Sequence, residues 1–198
     1  MMSRTETAFE QFDNYNKQDP HTFTWEGETY PQEYFLAVKL YEWVLQLAPD
    51  ASEELLLASR SQHIGRWEIP RNTYPDGREA YLKWRKDLGL FHAETATAIL
   101  QNLGYSDEQI ARVRQIILKQ KIKADAEVQT MENALCLVFL QYQYEEFYQK
   151  HDADKVINIL RKSLLKMDSH GHQFALGLTY SDQGLHYIQE ALKLITKA

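Results

Sequence analysis

Thirteen glycines and prolines are all that this 198-residue chain has to punctuate its backbone, roughly half the usual share of about 12%. Turns must be few and uninterrupted elements long. The apolar residues recur at the 3.6-residue spacing of helices, and no strand-like alternation runs long enough to set against it. Phe9 and Phe12 mark a first helix over residues 5–16. Pro31 stands at a first helical position, and Tyr34, Ala37, Val38, Tyr41, Val44 and Leu45 continue one stripe until Pro49 ends it. Ser52 is an N-cap with Glu53 and Glu54 behind it, well placed against the helix dipole.

Residues 66–77 hold Pro70, Pro75 and the pair Asp76-Gly77, and read as an ordered loop. Two helices are expected next, over residues 78–88 and 91–103, broken at Gly89. Ser106-Asp107-Glu108-Gln109 is a capping box. A helix over residues 126–148 is apolar on every side at residues 134–140 and so belongs in a core. Helices over 152–167 and 182–196 follow, with His170-Gly171-His172 as a turn between them. The expectation is an all-α fold, a single domain over residues 1–198.

This length can bury about 70% of the unfolded surface, enough for a core without covalent staples. The lone cysteine, Cys136, excludes an intramolecular disulfide framework and reads as a core thiol in a reducing compartment. The longest wholly apolar run covers residues 134–140, far short of the ~20 needed to span a membrane. Residues 1–14 carry no apolar segment of the secretory kind. A cytoplasmic protein is expected.

The formal charge of −6 argues against sequence-independent DNA binding, but that total conceals two basic segments. Seven basic residues fall between positions 60 and 86 (Arg60, Arg66, Arg71, Arg78, Lys83, Arg85 and Lys86) against three acidic ones. Arg112, Arg114, Lys119, Lys121 and Lys123 follow with no acid between them. Trp67, Tyr74, Tyr81 and Trp84 interleave with the first cluster. Guanidinium groups bind phosphate or carboxylate bidentately while aromatic rings stack, so the segment suits planar, anionic ligands. The plainer alternative is a solvated basic face paired with the acidic surplus. Phosphate-binding glycine loops, Gly-x-Ser-x-Gly and Cys-x-x-Cys are all absent from the sequence.

Residues 54–66, Glu-Leu-Leu-Leu-Ala-Ser-Arg-Ser-Gln-His-Ile-Gly-Arg, resemble the core of HD-domain proteins. There an apolar helix ends in a His-Asp doublet followed by Ile-Gly-Lys, and the doublet ligates a metal that activates water against phosphate esters. Gln62 and His63 stand at the doublet here, so neither identity is kept. Glu33 falls where the first family histidine lies, His92 at a further histidine, and Lys119 or Lys121 near a histidine pair. Glu132-Asn133-Ala134 matches the last Asp-Ala step. A second resemblance is more specific. Residues 62–71, Tyr74-Pro75, Tyr81, Trp84-Arg85, His92, Glu132-Asn133 and residues 136–140 are similar to the family called domain of unknown function 4202, which brings no activity with it.

These resemblances imply an HD-like core over about residues 31–148 and a helical extension over 152–198. They imply a hydrolase-like site with Glu33, His63, His92 and Glu132 as its catalytic group, and the same four as ligands of any divalent metal. The substrate contacts would be Gln62, Arg66, Trp67, Arg71, Arg78, Tyr81, Trp84, Arg85, Lys119 and Lys121. A lysine at the 119/121 step sets an ammonium where the metal would sit, and it could replace that metal as partner of Glu33 and Glu132. Two functions stay open at this point: an enzyme for a small phosphorylated or anionic substrate, and a catalytically silent domain that binds a nucleotide or a protein. RNA binding through the basic clusters is a third.

Overall fold

Serines just ahead of apolar stripes start three of the helices. Ser3, Ser52 and Ser106 each accept a backbone N–H from three residues on, and Ser3 and Ser106 complete capping boxes with Glu6 and Gln109. The computed structural model describes residues 2–196. It is helical almost throughout, so the all-α expectation holds. The elements run α1 (Arg4–Asn16), β1 (Thr22–Trp25), β2 (Glu28–Pro31), α2 (Gln32–Leu47), α3 (Glu53–Ser61), α4 (Arg78–Asn102), α5 (Asp107–Ile117), α6 (Ala126–Val138), α7 (Tyr144–Gln149), α8 (Ala153–Lys166), α9 (Ser169–Leu176) and α10 (Asp182–Thr196). No described helix is long and apolar enough to cross a membrane.

Four features depart from the sequence reading. A two-stranded antiparallel hairpin, with Thr22 opposite Pro31, precedes α2. Glu26 and Gly27, both at positive φ, turn it, and strands of four residues are too short for periodicity to reveal. Gly89 does not interrupt its segment, because α4 runs unbroken from Arg78 to Asn102. One interior glycine costs a helix only about 1 kcal/mol. The helix expected over residues 126–148 is divided by a π-helical turn at Phe139–Gln143. Finally, His170-Gly171-His172 is helical, inside α9.

Contacts sort the chain into two compact units, Met1–Leu45 with Pro49–Gln120, and Gln46–Ala48 with Lys121–Ala198. In the first, α3 packs on α1 and α5, and α4 on α1 and α5. Phe12, Val44, Leu55, Leu57, Leu100, Val113 and Ile116 fill its core. Arg60 of α3 clamps Asp13 of α1 bidentately, both N···O distances being 2.7 Å. That arginine of the basic cluster is therefore a strut between helices. In the second unit α8 packs on α10 and α6, and α9 on α6, around Val128, Met131, Leu137, Val156 and Leu160. Cys136 is buried there, as expected of a core thiol.

Candidate functional site

The chain leaves α3 through Gly65, whose φ of +67° is open to a residue without a Cβ. A Cβ there would also lie 2.9 Å from Phe91 Cε1 and from Tyr15 Cε1. The next residues, Arg66–Glu68, form a short 3-10 turn that sets Arg66 between two cavities.

The first cavity has a volume of about 420 Å³ and gathers Gln62, His63, Arg66, Arg85, His92 and Lys119. Lys86, Gly89, Gln120 and the apolar side chains of Leu88, Leu90, Ile117 and Leu118 complete its lining. His92, only 2% exposed, has Nδ1 2.7 Å from the Ile64 carbonyl. A carbonyl only accepts, so Nδ1 carries the hydrogen and Nε2 of the neutral ring is an acceptor. Gln62 donates from Nε2 to the Ile117 carbonyl at 2.9 Å, which turns its Oε1 away. His92 Nε2 and Gln62 Oε1 are both buried without a hydrogen-bond partner among the described residues.

The two histidine rings lie 5.7 Å apart, centroid to centroid. Burial, with Arg66 and Arg85 nearby, holds His92 down at about 4 even though the Ile64 carbonyl favours its charged form. Burial also holds His63 well below the usual histidine range, helped by Arg66, His92, Lys119 and Arg85. Both rings are neutral near pH 7, and every formal charge on the lining is positive. Lys119 enters with φ +53°, a left-handed conformation that residues with a Cβ seldom adopt.

The second cavity, about 170 Å³, lies across Arg66 and is lined by Glu33, Trp67, Arg71 and Trp84 together with Asp19 and His21. Glu33, in the first turn of α2, donates its backbone N–H to Asp19 Oδ2 at 2.9 Å. Its Oε1 is 3.7 Å from Arg66 Nε, and its Oε2 is buried without a hydrogen-bond partner among the described residues. Burial pushes this carboxyl up to about 7, although Arg66 pulls the other way. Arg71 spends its guanidinium on the Tyr74 and Pro75 carbonyls, each at 2.9 Å, and Trp84 donates to the Ile69 carbonyl at 2.8 Å.

The expected site is thus divided. Gln62, His63, Arg66, Arg85, His92 and Lys119 come together. Glu33, Trp67, Arg71 and Trp84 belong to the neighbouring cavity, with Arg66 common to both. Tyr81 is exposed, packs on Trp84 at 5.7 Å and accepts from Arg85 at 3.3 Å. Arg78 is exposed at the start of α4 and lines neither cavity. Lys86 is one of seven basic residues in its cluster with nothing in the sequence to set it apart, and Asp19 and His21 carry no sequence signal at all.

Glu132 and Lys121 lie in the second unit. Lys121 is exposed at φ +64°. Glu132 is 2% exposed with Oε1 3.4 Å from Lys166 Nζ. Beside it Asn133 donates to Asp168 Oδ1 at 2.8 Å, and that oxygen caps α9 by accepting the Gly171 N–H at 2.9 Å. Asn133 is a structural link here. Among the described residues no group of three or more histidine, cysteine, aspartate or glutamate side chains could hold a metal ion. The histidines share their cavity with four cationic side chains instead, a donor set that does not fit a resident divalent metal.

The family described as Domain of unknown function (DUF4202) matches this chain over residues 6–188. No curated protein and no solved structure matches it.

Proposed function

Because the chain belongs to the DUF4202 family, whose description names no activity, we propose its function from the basic cavity: a degenerate HD-like protein that takes a small phosphorylated or otherwise anionic substrate. Arg66, Arg85 and Lys119 receive the anion, and His92, with His63 beside it, serves as the proton acceptor. The observation that carries this reading is a cavity of about 420 Å³ whose charged lining is wholly cationic and whose histidines are neutral. Such a volume falls within the usual range for small-molecule sites, about 300–1,000 Å³. In the HD-like frame, Gln62 and His63 occupy the doublet and basic side chains do the electrostatic work of a metal. A bound dianion offsets the field of Arg66 and Arg85 and draws the histidines back toward a useful basicity.

A second reading, the catalytically silent binder, is favoured by one observation: His92 at about 4 is a weak base at neutral pH. Thermal unfolding with inorganic phosphate and pyrophosphate, alongside a screen of phosphate monoesters for turnover, tests both. Pyrophosphate raises the melting temperature, and Arg66→Ala or Arg85→Ala weakens its binding about tenfold or more, the loss expected for a charge-assisted hydrogen bond. Turnover that falls at least 100-fold in His92→Asn supports the enzyme. Stabilisation without turnover of any ester supports the silent binder. No response to either anion sinks both.

A further inference from the structure

The first cavity has two chemistries at two depths. Two buried polar atoms of its lining residues, Gln62 Oε1 and His92 Nε2, are both acceptors, and each is fixed in that role by a hydrogen bond on the opposite side of its own group. Leaving a buried acceptor without a donor costs roughly 1–3 kcal/mol, so two on residues that line one cavity make a standing demand for N–H or O–H groups. Nearer the surface the chemistry reverses. Arg85 and Lys86 are exposed, Arg66 and Lys119 half-buried, and all four are donors only. An anion pushed to the deep end would meet two lone pairs, whereas an anion at the mouth meets guanidinium and ammonium groups.

The walls between are aliphatic, from Leu88, Leu90, Ile117 and Leu118. No phenylalanine, tyrosine or tryptophan is among the described lining residues, so the cavity has no large aromatic face for stacking a nucleobase. The two tryptophans of the basic segment stand in the other cavity, with Glu33.

We propose that this cavity takes an aliphatic, hydroxylated phosphate monoester, a polyol phosphate, bound phosphate-outward: its phosphate lies against Arg66, Arg85 and Lys119, and its hydroxyl groups donate to Gln62 Oε1 and His92 Nε2. This deepens the function proposed above and rests on it. The polarity explains why a cavity for an anion keeps its histidines neutral: an imidazolium at His92 would have no lone pair to offer a hydroxyl. It also gives the amide of Gln62 a purpose that its bond to Ile117 alone does not exhaust.

Calorimetric titration of the full chain with sorbitol 6-phosphate, sorbitol and inorganic phosphate tests the orientation. Sorbitol 6-phosphate is expected to bind at least tenfold more tightly than inorganic phosphate, and sorbitol at least a hundredfold more weakly than its phosphate. The informative variant is His92→Asn, whose shorter amide can still donate toward the Ile64 carbonyl but has nothing at the position of Nε2. It weakens sorbitol 6-phosphate about tenfold and leaves inorganic phosphate within twofold of its starting affinity. Arg85→Ala weakens both phosphates by the same factor. Gln62→Leu repeats the His92→Asn pattern, and either variant alone is sufficient should the other fail to fold. Equal affinities for sorbitol 6-phosphate and inorganic phosphate, or a His92→Asn protein that loses both alike, overturn the orientation while leaving the anion site standing. Failure of both phosphates to bind overturns the orientation and the anion site together.

Discussion

The two cavities that meet at Arg66 both draw on residues 62–92 and solve opposite problems. On one side, buried histidines sit among cations and stay neutral because they have lost their protons. On the other, a buried glutamate shares its cavity with two tryptophans and holds its proton up to about 7, because desolvation outweighs the pull of Arg66. Arg66 presses on both in the same electrostatic sense, disfavouring protons on either side. The difference lies in what each group becomes without its proton. A histidine that loses it is neutral and accommodated by burial, whereas a glutamate that loses it is an anion that burial penalises. One cavity thereby keeps only positive formal charge on its lining, and the other carries its own acid.

The largest effect is expected where both cavities are anchored. Gly65→Ala forces a Cβ into the left-handed region, at roughly 1–2 kcal/mol, and against Phe91 and Tyr15 at 2.9 Å, an overpacking of about 1–3 kcal/mol. Denaturant unfolding should therefore show a loss of about 3 kcal/mol, and the surviving folded protein should respond less to pyrophosphate. A variant within about 0.5 kcal/mol of the parent would mean that Gly65 does not set the position of Arg66.

Acid and alkali should separate the cavities next. An unfolded carboxyl releases its proton near 4.5, whereas folded Glu33 keeps it to about 7. The folded state binds the extra proton in that window, so stability falls as pH rises through it. For His92 the folded ring gives up its proton at about 4 against 6.5 when unfolded. There the unfolded state binds the extra proton, and stability falls as pH drops from 6.5 toward 4. At about 1.4 kcal/mol per unit, each arm is worth on the order of 3 kcal/mol over its full window. Melting temperatures across pH 4–8 should show Glu33→Gln gaining on the parent as pH rises from 4.5 to 7. His92→Asn should gain on it as pH falls below 6.5. Curves parallel to the parent in either window would remove that group from the comparison.

Much of the scaffold was legible in the sequence, because capping serines and 3.6-residue stripes are local signals. What escaped was decided by distant contacts. Gly89 looks like a breaker, yet it lies inside a 25-residue helix and forms part of a cavity wall. Gly171 looks like a turn, yet its missing Cβ makes room for Asn133, whose Oδ1 would stand 2.7 Å away. The site was legible as a cluster and not as two cavities. Trp84 and Arg85 are neighbours in sequence, but successive residues on a helix point about 100° apart. Trp84 therefore joins Glu33 while Arg85 joins the histidines. Hydropathy and composition are indifferent to that angle.

The smallest expected effect is the sharpest for the basic cavity. Lys119 holds φ +53°, where glycine would be relieved of roughly 1 kcal/mol of backbone strain. Glycine also loosens the unfolded chain, which costs about 0.4–1 kcal/mol, so the two terms nearly cancel. Lys119→Gly should therefore leave stability within about 1 kcal/mol of the parent while removing one ammonium from the anion site. The expected weakening of phosphate binding is roughly two- to fivefold, the scale of one half-exposed ion pair. His63 should at the same time titrate higher, since Lys119 is one of the charges holding its proton off, and the shift is readable in the imidazole proton resonances. A Lys119→Gly protein with unchanged phosphate affinity and an unmoved His63 would show that the lysine serves the backbone alone, and would leave the anion to Arg66 and Arg85.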